Sequence, residues 1–144
     1  MKPFLLPFLL CCLVLVLWQC QRNTYSNTNF PADQLAFGSG GGFAGTLTTY
    51  HLLPNGQLFR SDGIQGDTVS IPPAKKRITK ELYTHFDDLE LTDIDFDFPG
   101  NRYYFISRST ADGSQKITWG DPEQPVPEAV QNLYNELKAL VPLQ

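Results

Sequence analysis

Apolar and polar positions along this chain change their period several times, and each change marks an element. Residues 4–18 form an unbroken apolar run behind the single charge of Lys2. Residues 21–33 are rich in Asn, Thr and Ser, with Tyr25 and Phe30 isolated among them, and offer no period that could pack one face. From Leu35 a short apolar segment leads through Gly38-Ser39-Gly40-Gly41-Gly42-Phe43-Ala44-Gly45 into the alternating run Thr46-Leu47-Thr48-Thr49-Tyr50-His51-Leu52, so strands are predicted on both sides of a glycine turn. Asn55-Gly56 suits a tight hairpin that returns Gln57-Leu58-Phe59-Arg60 as the partner strand. Residues 62–73 are polar, hold Gly63, Gly66 and two prolines, and predict a long loop.

Helical spacing follows. Thr79 is the expected N-cap of a helix whose apolar face carries Leu82, Tyr83, Phe86 and Leu89. Pro99-Gly100-Asn101 breaks the chain before Tyr103-Tyr104-Phe105-Ile106, a β-rich run that turns at Asp112-Gly113 into Lys116-Ile117-Thr118-Trp119. Pro127 suits the first turn of a second helix, Glu128 its positive end, and Val130, Leu133, Tyr134, Leu137 and Val141 its apolar face. The order ββ(β)-α-ββ-α, with short antiparallel connections and no βαβ crossover, predicts an α+β fold. Its antiparallel sheet would have four to five strands with two helices packed on one face, and the other face would be open to solvent or a partner.

The apolar run at the N-terminus has the order of a secretory signal, and it is short of the ~20 residues of a membrane-spanning helix. A signal peptide over residues 1–19 is expected, with a single N-terminal anchor helix as the alternative. Leu17-Trp18-Gln19-Cys20 resembles the lipobox of bacterial lipoproteins, although Gln19 stands where Gly, Ala or Ser is usual. The resemblance implies a lipidated Cys20 and anchoring in the bacterial envelope, the outer membrane being favoured, with the domain in the periplasm or at the cell surface. The alternative is an ordinary leader cysteine and a secreted product. Cys11 and Cys12 would leave with the leader and Cys20 would become a thioether, so no thiol would remain for a disulfide, a zinc site or a nucleophile. Residues 20–34 then form the lipidated cysteine and a flexible tether, and residues 35–144 a single domain.

Lys2 is the only charge lost with the leader, which takes eleven basic residues to ten against fifteen acidic ones and the net charge from −4 to −5. That balance argues against nucleic acid, and Lys75-Lys76-Arg77, the one basic cluster, reads as a solvated approach to a helix. Gly40-Gly41-Gly42-Phe43-Ala44-Gly45 satisfies G-x-G-x-x-G, but a strand and a hairpin follow where a nucleotide site needs a helix, which argues against nucleotide binding. The glycines suit a bend instead, with Phe43 either plugging the core or standing out. Asp93, Asp95 and Asp97 invite comparison with a calcium loop, yet Phe98 and Tyr104 occupy the positions where that loop needs Gly and Glu. A solvated edge accounts for them, and no metal or cofactor is expected. His51 and His85 belong to no nucleophile or metal motif, so the expectation is a protein without catalysis. Trp119 is assigned to the core.

The glycine motif before a strand, the central helix, the Tyr-rich strand and Val126-Pro127-Glu128 opening a Leu-rich final helix recur together in the emfourin family of small bacterial inhibitors of thermolysin-type metallopeptidases, which this chain resembles. The layout is also similar to uncharacterised small lipoproteins of the Bacteroidota. The resemblance implies a binding module that obstructs a protease cleft without chemistry of its own. Partner-binding candidates are Gly40, Gly41, Gly42, Phe43 and Gly45, because an aromatic on a glycine loop can enter a pocket that a bulkier backbone cannot approach. A structural or assembly lipoprotein docking on another envelope protein through its acidic segment and sheet edge is the alternative.

Overall fold

The computed structural model describes residues 24–64, 66–89 and 96–142. Four strands come first, β1 (Gln34–Gly41), β2 (Thr46–Leu52), β3 (Leu58–Asp62) and β4 (Thr68–Ile71), followed by helix α1 (Lys76–Asp88). Then come β5 (Asp97–Phe98), β6 (Arg102–Ser109), β7 (Ser114–Trp119) and helix α2 (Glu128–Lys138). The seven strands form one sheet in the order β4-β3-β2-β1-β6-β7-β5. All neighbours are antiparallel except β5, which runs parallel to β7. The α+β class therefore stands, but the sheet is mixed and larger than the four to five strands expected.

Both extra strands are short edges. β4 lies inside the segment expected to be a loop, where Thr68-Val69-Ser70-Ile71 pairs with β3 from Ser61↔Thr68 to Leu58↔Ile71. Four alternating, mostly β-branched residues suffice once a partner strand is already in place, although alone they give little signal. β5 is two residues long and pairs with the end of β7. Gly38 to Gly41, expected in the turn, belong to β1. Phe105 and Tyr103 stand directly opposite Gly38 and Gly40, and their rings fill the space in which a Cβ would sit. The first helix starts at Lys76 rather than behind a Thr79 cap. Thr79 is buried within its first turn, and its hydroxyl donates to the Lys75 carbonyl at 3.2 Å.

Register assigns the two sheet faces. Leu35, Phe37, Tyr50, Leu52, Leu58, Ile106, Ile117 and Trp119 share one face and pack with Leu82, Tyr83 and Phe86 of α1 and Val130, Leu133, Tyr134 and Leu137 of α2. Trp119 is a core residue, as expected, its ring perpendicular to that of Tyr134 at 5.1 Å. Each helix also sends one tyrosine to a strand carbonyl. The Tyr83 hydroxyl donates to Leu52 at 2.7 Å and that of Tyr134 to Gly38 at 3.2 Å. Burial, reinforced by the nearby Tyr104 and Tyr50, pushes the Tyr134 hydroxyl up to about 12.

The opposite face is partly covered. Of the stretch expected as a tether, residues 24–33 are described, and they run along the sheet. The Tyr25 amide donates to Gln57 Oε1 at 2.7 Å, and Gln57 Nε2 returns a bond to the Tyr25 carbonyl at 3.1 Å. Asn27 Nδ2 donates to the Thr68 carbonyl of edge strand β4. The Phe30 ring lies 4.9 Å from His51 and 5.0 Å from Phe59, so Phe59 is buried on a face that the helices never reach. Asp33 then closes an ion pair with Arg108, whose guanidinium also sits 4.6 Å above the Tyr83 ring and 3.4 Å from Asp87.

Candidate functional site

Antiparallel pairing carries the β1–β2 turn, the β3–β4 connection, the β5–β6 connection and the chain after β7 to the same end of the sheet. Four glycine-rich loops thus lie side by side and are tied by backbone hydrogen bonds. Gly42 donates to Asn101 at 2.7 Å, Gly63 to Leu47 at 2.7 Å and Asp121 to Phe98 at 3.0 Å. The β1–β2 turn itself is closed by Gly45 donating to Gly42, at 3.0 Å. Gly42 and Gly45 take φ of 79° and 57°, values an L side chain resists, which is why glycine flanks Phe43 here.

The Phe43 ring projects entirely into solvent at 110% relative exposure. Of the two positions open to it, plugging the core and standing out, it takes the second. The other candidates divide. Gly42 and Gly45 shape the turn that carries Phe43, whereas Gly40 is buried beneath Tyr103 and Gly41 ends β1, so these two belong to the sheet rather than to the protruding turn. Ile64, not singled out from the sequence, protrudes from the neighbouring β3–β4 connection at 92% exposure. Its signal was a lone large apolar residue between Gly63 and Gly66 in a polar stretch. Asp62, Asp67, Asp97, Asp121 and Glu123 lie around this end of the sheet, with Arg60 and Arg102 as its cations.

The remaining candidates do not converge. Cys20, Asp93 and Asp95 lie outside the described residues, while Asp97 is an exposed residue of β5. His51 sits on the open sheet face, its Nδ1 3.1 Å from Gln34 Oε1, and burial pushes its pKa below the ordinary imidazole value. His85 bridges α1 to α2 through Glu136 at 3.1 Å. Among the described residues no group of three or more His, Cys, Asp or Glu is placed to hold a metal ion, and no helix is long and apolar enough to cross a membrane. Neither protein-family models nor curated proteins match this chain.

Proposed function

We propose that this chain is a lipid-anchored binding module of the bacterial cell envelope that acts by presenting the Phe43 loop to a protein partner, without catalysis. The observation that carries this reading is a large aromatic held fully in solvent by a turn of positive-φ glycines. Exposure of such a ring has no folding benefit, and in a pocket it supplies the kind of contact that dominates binding energy. The loop and the neighbouring Ile64 stand at one end of the sheet, while the arm leading from the N-terminus enters at the other, beside Gln57. An anchor at Cys20 would therefore leave Phe43 pointing away from the bilayer.

The resemblance to emfourins makes thermolysin-type metallopeptidases the first target class. The test is inhibition of such peptidases by the full-length chain purified from membranes, beside Phe43→Ala. The wild type should inhibit, and the variant should lose about 30-fold in affinity or more, as for a residue carrying ~2 kcal/mol of binding, with an unchanged melting temperature. No inhibition and no complex at micromolar concentration would remove the inhibitor reading. Recovery instead of a stable envelope partner that is lost on charge reversal at Asp93, Asp95 and Asp97 would favour an assembly role.

A further inference from the structure

The cations of this chain are unevenly placed. Residues 21–144 contain ten Lys and Arg, and four of them, Lys75, Lys76, Arg77 and Lys80, are exposed within six positions at the start of α1. Elsewhere Arg60 is paired with Asp62 and Arg108 with Asp33, while Lys116 and Lys138 lie over the rings of Phe105 and Tyr50. Arg77 is held by Glu81. Lys75, Lys76 and Lys80 instead border two adjoining shallow clefts, of about 390 and 360 Å³, that meet at Asn55. Among the described residues no carboxylate lines either cleft.

The first of these clefts is also lined by Thr24, where the described chain begins. The polypeptide that leads back to Cys20 thus departs from beside Lys75 and Lys76. Only four residue steps separate Thr24 from Cys20, a reach of at most ~14 Å at ~3.6 Å per residue. A domain tied so closely cannot hold this surface far from the bilayer, where lysines within about one Debye length, ~8 Å at physiological salt, feel the surface potential.

We propose that Lys75, Lys76 and Lys80 form a membrane-facing surface that docks on the head groups of anionic phospholipids. The inference rests on the anchored reading above and adds the orientation of the domain. A body of net charge −5 would be repelled by an anionic bilayer, but Asp62, Asp67, Asp121 and Glu123 lie around the Phe43 end, and of the acidic groups that share the lysines' end Asp33 and Asp87 are paired with Arg108 and Glu81 with Arg77. Lys75, Lys76 and Lys80, which form no ion pair among the described residues, lie at the end from which the anchor leaves. Acyl chain and basic surface then act as two signals on one membrane, and the Phe43 loop is held outward.

Lysine acetylation by a membrane-impermeant reagent, read by mass spectrometry, tests this on the full-length chain purified from bacterial membranes. The chain is inserted into vesicles of phosphatidylcholine alone or mixed with phosphatidylglycerol. Lys75, Lys76 and Lys80 should be labelled about fivefold more slowly on the anionic vesicles, with the protection abolished by high salt and Lys116 unchanged. Equal rates on both vesicle types, in a sample whose N-terminal mass shows a lipidated Cys20, would overturn the docking surface and leave the anchor standing. A mass showing neither lipid nor retained leader would overturn the anchored reading, and this inference with it. Equal protection by inorganic phosphate on neutral vesicles would reassign the lysines to a free-anion site and overturn the lipid surface.

Discussion

Removing the ring that covers the open sheet face, by Phe30→Ala, should both destabilise the fold and change the titration of one histidine. Phe30 contacts His51 and Phe59 at 4.9 and 5.0 Å, and aromatic pairs at such separations contribute about 0.5–1.5 kcal/mol each beyond area burial. Full burial of a Phe side chain adds about 1.5–3 kcal/mol. Phe30 is only half-buried, and the arm regains chain entropy when released, so the net loss should be about 2 kcal/mol, roughly 8 °C in Tm for a domain of this size.

The same substitution rehydrates His51, whose pKa lies below 6.5 because burial disfavours the imidazolium. A histidine with a depressed folded pKa binds fewer protons folded than unfolded, so it lowers stability as pH falls below the unfolded value and has no effect well above it. In Phe30→Ala that loss on acidification should shrink, and the His51 resonance followed by NMR should titrate closer to 6.5. Unchanged stability together with an unchanged His51 titration would refute the packing of the arm. A lowered Tm with an unchanged titration would refute the desolvation argument alone.

Tyr83→Phe keeps the ring under Arg108 but leaves the buried Leu52 carbonyl without its side-chain donor, and should cost about 1–2 kcal/mol in urea unfolding. A loss within error would show that the bond contributes nothing net. Two glycine substitutions separate crowding from backbone strain. Gly38→Ala places a methyl against the Thr48 carbonyl and the Phe105 ring and should cost about 3 kcal/mol. Gly42→Ala meets no atom within 4 Å and carries only the positive-φ penalty, about 1 kcal/mol. Equal melting temperatures for the two variants would contradict the close packing of β1 under β6.

What could be read along the chain was whatever a local period encodes. Val130, Leu133, Tyr134 and Leu137 fall on the buried face of α2 because helical geometry alone brings those positions together. Leu58-Phe59-Arg60 returns as a strand after Asn55-Gly56, and β6 and β7 meet around Asp112-Gly113, because short turns place antiparallel neighbours without reference to the rest of the fold. The spacing of Leu82, Tyr83 and Phe86 marked α1 but not its first residue, since Thr79 served the core instead of the cap.

The candidate site was half legible. Phe43 between glycines was visible as a special position, but the choice between plugging the core and protruding was not. It depended on β1 continuing through Gly41, which in turn depended on Tyr103 and Phe105 arriving from the far half of the chain to cover Gly40 and Gly38. Ile64 joined the same surface only because the sheet order brings the β3–β4 connection beside the β1–β2 turn. The packing of Phe30 on Phe59 and the pairing of Asp33 with Arg108, 75 positions away, left no periodic trace at all. Periodicity records which face of an element avoids water. Which other element meets that face, and which residues are left outside it, is decided by contacts between segments distant in sequence, and only the assembled sheet specifies them.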